Sequence, residues 1–162
     1  VPKSPILYRW WFPEKSAVMD VLTRYSHSDA EMTTLLQQFE TCEIENKTYY
    51  ALYFGKSNNG YRRYIQHSTG NVHTSTLRHT LYGLCLTENE AKQYIKEREE
   101  EITRMLQECY YEWIPFENEG KLVECVESIC IALGKYPLNV DGNPAISDSW
   151  REYVMEKRKL KE

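Results

Sequence analysis

Apolar and polar positions along the chain fall into blocks of two different periods. The run ILYRWWF, residues 6–12, is almost continuously apolar and closes at Pro13, which reads as a strand. TYYALYFG (48–55), dense in tyrosine and ended by glycine, predicts a second strand, and CYYEWIPF (109–116) a third. Between them the period lengthens to that of a helix. Ser28, with Glu31 three residues on, makes a capping-box pattern that predicts an amphipathic helix through Glu40. The turn signal Asn58-Asn59-Gly60 precedes YRRYIQH. Helical spacing there puts Tyr61, Tyr64 and Ile65 on one face, with Arg63 and His67, four apart, on another. STLRHTLYGLCL (75–86) predicts a helix capped by Thr74 or Ser75. A long charged helix is predicted over 87–108, with Thr87 and Glu90 as its capping box.

Apolar Leu122, Val123, Val126, Ile129, Cys130 and Leu133 predict a helix buried on one side, ended by Gly134 with Pro137 just beyond. A last helical segment is expected over about 147–160. The order of elements predicts a small α/β layer rather than a regular strand–helix alternation.

Composition narrows the function classes. A chain of 162 residues, 41% apolar and 27% charged, is one domain with enough length to bury a core. No run approaches the roughly 18 apolar residues of a membrane span, and the first residues lack a signal-peptide pattern. Cys42, Cys85, Cys109, Cys125 and Cys130 are odd in number and show no CxxC spacing. They are expected to be reduced, mostly buried thiols, and the expected compartment is cytoplasmic.

The net charge of −4 changes meaning once it is mapped. From Asn46 to Thr87 there is no Asp or Glu, but there are Lys47, Lys56, Arg62, Arg63 and Arg78, together with His67, His73 and His79. A local positive field of this kind attracts phosphates whatever the net charge. Chance depletion of acids in a solvated loop region is the ordinary alternative.

Five polar groups stand out against this background: Tyr8, Tyr53, Arg63, His67 and Glu127. A strand tyrosine is usually core with a satisfied hydroxyl, and a helical Arg/His pair is usually surface. Glu127, set among the apolar residues of VECVESICI, is harder to dismiss, because a buried carboxylate needs a partner or a metal.

These residues resemble the GIY-YIG nuclease superfamily. Ile6-Leu7-Tyr8 stands where the family has Gly-Ile-Tyr, and Tyr53-Phe54-Gly55 where it has Tyr-Ile-Gly. Lys56 follows the glycine, Arg63 lies ten positions after Tyr53, and His67 comes four later, as in the restriction-endonuclease-like branch. Glu127 lies twelve residues before Asn139 in the Pro-x-Asn ending. Ile6 departs from the first glycine of the pattern. About forty residues separate the half-motifs where the family usually has a short hairpin.

The resemblance implies an α/β fold with a small three-stranded, mainly antiparallel sheet flanked by helices. A helical insertion at about residues 13–47 would separate the first two strands. The nuclease domain would span 1–140 and a C-terminal helical tail 141–162.

It further implies a metal-dependent endonuclease that hydrolyses phosphodiester bonds, with DNA as the expected partner, no membrane association, and a dimer as one option for the oligomeric state. Glu127 would hold Mg2+, with Mn2+ as a substitute, since a hard cation takes carboxylate and water oxygens. Arg63 would clamp the scissile phosphate through its planar fork. Tyr8 would be the general base, Tyr53 would place the water or phosphate, and Lys56 would lower a phenol's pKa or hold a water. His67 is the alternative proton acceptor. Asn139 would brace Glu127 or the backbone nearby. Lys56, Arg62, Arg63 and Arg78 would contact nucleic acid. The competing readings are a catalytically inactive nucleic-acid- or protein-binding module on the same fold, and an unrelated small hydrolase using cysteine or histidine.

Overall fold

The computed structural model describes residues 1–87, 93–116 and 121–161. The chain runs β1 (Ile6–Pro13), α1 (Ala17–Ser26), α2 (Ala30–Leu36), β2 (Thr41–Ile44), β3 (Lys47–Ser57), α3 (Gly60–Thr69) and α4 (Thr76–Leu86). A short 3-10 turn at Lys96–Arg98 then leads into α5 (Glu99–Gln107), β4 (Tyr110–Pro115), α6 (Lys121–Gly134) and α7 (Asp148–Lys157). The sheet is fully antiparallel in the order β2-β3-β1-β4.

β1 is central, and both of its faces are covered. Ile6, Tyr8, Trp10 and Phe12 enter one layer with α1, α2, α4, α5 and α7. Leu7 and Trp11 enter the other, with Val123 of α6 and Tyr136. Burial on both faces is the reason its sequence is an almost continuous apolar run, interrupted by Arg9. The register of β1 on β3 shifts between Trp10 and Trp11, whose partners are Tyr53 and Ala51. The bulged residue is Leu52, and Leu52 and Tyr53 consequently pack into the same layer.

Among the described residues the sheet has four strands, one more than the sequence pattern predicts. β2 was missed because it is short and half exposed, and gains its place by hairpin pairing with β3. The hairpin turns through Glu45 and Asn46, both at positive φ (51° and 61°). That conformation suits asparagine, but glutamate gives no advance signal of it.

The segment 13–47 holds two helices and this strand. α1 buries Val18, Met19, Val21 and Leu22. The cap of α2 is Asp29 and not Ser28: its carboxylate accepts from Met32 N at 3.0 Å, while the Ser28 hydroxyl donates back to Tyr25 O. α2 stops at Leu36, short of the expected Glu40.

The long helix expected over 87–108 is reduced to α5 among the described residues, and Glu90 lies outside them. Thr87 closes α4 instead of opening a helix, with its hydroxyl donating to Gly83 O at 2.6 Å.

α7 docks on α4 so tightly that a Cβ at Gly83 would lie 2.5 Å from Lys157 O. Trp150 of α7 is fully buried and donates its indole N–H to Pro137 O at 2.9 Å. The five cysteines are free, but the expectation of mostly buried thiols is not met: four are half-buried and Cys125 is exposed. No helix among the described residues is long and apolar enough to cross a membrane.

Candidate active site

Antiparallel pairing sets Tyr8 directly opposite Gly55. A Cβ on Gly55 would come within 2.5 Å of the Tyr8 ring and hydroxyl, so the glycine of the Tyr-x-Gly triplet is the space that the first tyrosine fills. Tyr53, two residues before Gly55 and opposite Trp10, falls on the same side by the ordinary alternation of β3, leaving the two rings 6.4 Å apart.

α3 supplies the third group. Asn59 caps it, accepting from Arg62 N, which starts the helix where the turn signal placed it. Its inward face carries buried His67 and Tyr64, which stacks on Trp10. Tyr61 and Ile65, expected to share the face of Tyr64, are exposed. The aromatic residues of β1 take the polar face of α3 because His67 finds hydrogen-bonding partners there.

The Tyr8 hydroxyl lies 2.8 Å from His67 Nε2, and His67 Nδ1 lies 2.7 Å from Ser75 Oγ. Ser75 is also the N-cap of α4, accepting from Arg78 N. The result is a buried Tyr8–His67–Ser75 chain that runs from β1 through α3 to α4. Burial pushes the Tyr8 phenol well above its usual value; the neighbouring Tyr53 adds to the shift and Arg63 opposes it. Tyr53 is raised as well, by burial, with Arg63 again the main opposing charge. His67 is held down to about 3, first by burial and then by Arg63 and Arg78, and is therefore neutral at ordinary pH.

Arg63 is the cation that acts most strongly on both phenols. Its Nε is buried with no hydrogen-bond partner among the described residues, as is the hydroxyl of Tyr111, which packs against Tyr8 and Trp10. An unmatched guanidinium donor beside two phenols suits an anionic oxygen.

Lys56 is engaged with carboxylates: its Nζ pairs with Glu124 at 3.1 Å, and its backbone N–H donates to Glu127 Oε1 at 3.1 Å. Lys56, Arg62 and Arg63 line a polar groove of about 410 Å³ whose lining, among the described residues, includes no acidic side chain.

Glu127 is half-buried on α6, and burial raises its pKa, opposed by Lys56. Together with Tyr53, Asn139 and Arg158 it lines a cleft of about 310 Å³. Asn139 clamps β3 at the residue between Tyr53 and Gly55: its side chain accepts from Phe54 N at 2.8 Å and donates to Phe54 O at 2.7 Å. Of the two expected targets for Asn139, this is the backbone.

Among the described residues no three His, Cys, Asp or Glu side chains converge, so a cation here would rest on Glu127 and its own waters. The residues fit that role. A carboxylate withdrawn from water, its pKa raised by desolvation, gains from an added positive charge.

Arg78 is placed differently from a nucleic-acid contact. Its side chain is 0% exposed and pairs with Glu99 Oε2 at 2.9 Å. It also donates to the backbone carbonyls of His67, Ser68 and Glu99 and to the Thr103 hydroxyl. It braces α3 and α5 behind His67 and offers nothing to solvent. Sequence reasoning missed Ser75, Tyr111, Glu124 and Arg158 as neighbours of the site. Ser75 was legible as a cap, but its reach to His67 depends on how α3 and α4 pack.

A family model described as a GIY-YIG catalytic domain matches residues 6–160. Comparison with curated proteins and with solved structures gave no match. With the match covering nearly the whole chain, from Ile6 of β1 past the end of α7, this protein belongs to the GIY-YIG catalytic-domain family, a family of nucleases.

Proposed function

We propose that the protein is a divalent-metal-dependent endonuclease that hydrolyses phosphodiester bonds, with DNA as its substrate and Mg2+ as its ion. The observation that carries this reading is the convergence of Tyr8, Tyr53 and His67 beside the unmatched Nε of Arg63, with Glu127 lining the cleft that Tyr53 enters. When bound, the ion would be held by Glu127 and would supply charge neutralisation at the phosphate.

The chain's own residues account for the remaining roles. Arg63 orients the scissile phosphate and offsets the charge that builds on it as water adds to phosphorus and the leaving oxygen departs. In the free protein the buried environment disfavours both a Tyr8 phenolate and a His67 imidazolium. A proton relay avoids the phenolate. As water loses a proton to the Tyr8 oxygen, the Tyr8 proton passes to His67 Nε2 across the 2.8 Å contact.

Substrate binding favours this direction. A phosphate that neutralises Arg63 removes one of the charges holding the His67 pKa down, and also removes the charge that favours ionised Tyr8. Tyr53 positions the attacking water or the phosphate, and Asn139 fixes the β3 backbone on which Tyr53 stands. Lys56 and Arg62 track the flanking backbone along the polar groove, contacts that carry affinity without sequence information.

The test is incubation with supercoiled plasmid and Mg2+ or Mn2+ beside Glu127→Gln and Arg63→Ala. Metal-dependent nicking or linearisation lost in both variants is expected. Equal inertness of all three proteins on duplex, single-stranded and branched DNA and on RNA would overturn it.

A further inference from the structure

One charged residue lining the Glu127 cleft comes from the end of α7. Arg158, the C-cap of that helix, lines the cleft with Tyr53, Glu127 and Asn139, and its charge acts on Tyr53 to lower its pKa. It is held in place at three points. His79 of α4 donates from Nε2 to the Arg158 carbonyl at 2.7 Å. Two guanidinium nitrogens, Nε and Nη2, donate to Thr80 Oγ1 at 2.9 and 2.7 Å. The remaining nitrogen, Nη1, makes longer contacts among the described residues: Asp141 Oδ2 at 3.4 Å and Met155 Sδ at 3.7 Å. The Arg158 side chain is 9% exposed, whereas Asp141 is 75% exposed.

A guanidinium fixed by a buried hydroxyl, with its free edge against a loose and exposed carboxylate, is built to exchange that carboxylate for another anion. From this geometry we infer that Arg158 is a second phosphate-binding residue of the nuclease cleft. It would hold a backbone phosphate next to the scissile one, with Asp141 occupying the position until substrate arrives. Arg63 and Arg158 then grip the strand from α3 and from α7, Arg63 from the polar groove and Arg158 from the cleft that Tyr53 and Glu127 line. The inference rests on the proposed phosphodiester cleft and extends it to residues that no part of the motif names.

The experiment measures binding of a short duplex DNA to the Glu127→Gln protein across a range of KCl concentrations. Arg158→Ala, Arg158→Lys, Asp141→Asn and Arg63→Ala are each added to that background. Removing one phosphate contact lowers the slope of log K against log salt by about 0.9. Arg158→Ala is expected to show that loss. Arg158→Lys keeps the charge but loses the fork onto Thr80, and is expected to retain the slope. Asp141→Asn, which removes the competing carboxylate and leaves Arg158 and Thr80 in place, is expected to bind several-fold more tightly.

An unchanged slope in Arg158→Ala, with a reduced one in Arg63→Ala, overturns the inference and leaves the nuclease reading standing. Unchanged slopes in both remove the cleft reading itself. If Arg158→Ala does not fold, Asp141→Asn decides: tighter binding supports the role, and unaltered affinity overturns it.

Discussion

The hydroxyl of Tyr8 on the central strand meets Nε2 of His67 on α3 at 2.8 Å, and both side chains are almost wholly buried. Two groups 59 residues apart in the chain thus form one buried hydrogen-bonded pair with no ionised member in the free protein, the pair through which the proposed relay runs. His67→Asn keeps a polar side chain but cannot take the proton. It is expected to lower the single-turnover cleavage rate by about 10²–10⁴-fold with DNA affinity unchanged. A rate within a few-fold of wild type would remove His67 from the relay.

Stability should depend on pH through the same residue. Burial and the nearby arginines hold the His67 pKa down to about 3 in the folded state, from an ordinary value of 6.5. Between those values the unfolded chain binds a proton that the folded protein rejects. Stability is therefore complete above about pH 6.5 and falls as pH drops toward 3, by at most about 1.4 kcal/mol per pH unit for one proton. Urea unfolding of wild type and His67→Asn at pH 7 and pH 5 measures this. The loss between the two pH values should shrink in the variant.

Gly55→Ala tests the packing that seats Tyr8. The added Cβ would fall within 2.5 Å of the phenol, and the central strand leaves neither residue room to retreat. A stability loss of about 1–3 kcal/mol by urea unfolding is expected, together with lost cleavage. Full activity at wild-type stability would show that the ring relocates freely.

Two arginines of the acid-free window should separate cleanly. Arg78→Ala removes the cation from half-buried Glu99, leaving it the Val72 N–H and the Tyr94 hydroxyl, and is expected to cost about 3 kcal/mol of stability. Arg62→Ala, at an exposed position, should change stability by no more than about 0.5 kcal/mol while weakening DNA binding. Thermal unfolding and salt-dependent binding distinguish them, and a stable Arg78→Ala protein with weakened binding would reverse the assignment of Arg78.

Much of the architecture was legible because local signals agreed with the tertiary outcome. β1 announced itself as an apolar run between prolines, Ser75 and Ser147 cap the helices expected near them, and α6 ends at Gly134. Failures came where the local signal was weak or pointed the wrong way. β2 is a half-exposed four-residue strand that exists through pairing with β3, and Tyr61 and Ile65 on the apolar side of α3 face outward. Thr87 looked like a cap for what followed but closes what precedes it.

By itself, the sequence determined which residue types could do chemistry, their spacing, and the family pattern that joins Tyr8, Tyr53, Arg63, His67 and Glu127. Those properties lie in side-chain identity and local period, which need no knowledge of distant contacts. Only the tertiary structure decided which way each group faces. Arg78 and Arg62 carry the same charge in the same window, yet one is walled in by Glu99, Thr103 and three carbonyls while the other meets solvent. Arg158 lies in a helix with no motif, yet the docking of α7 on α4 carries it to the cleft. Direction and proximity arise from packing between elements distant in the chain, and a residue's neighbours in sequence do not encode them.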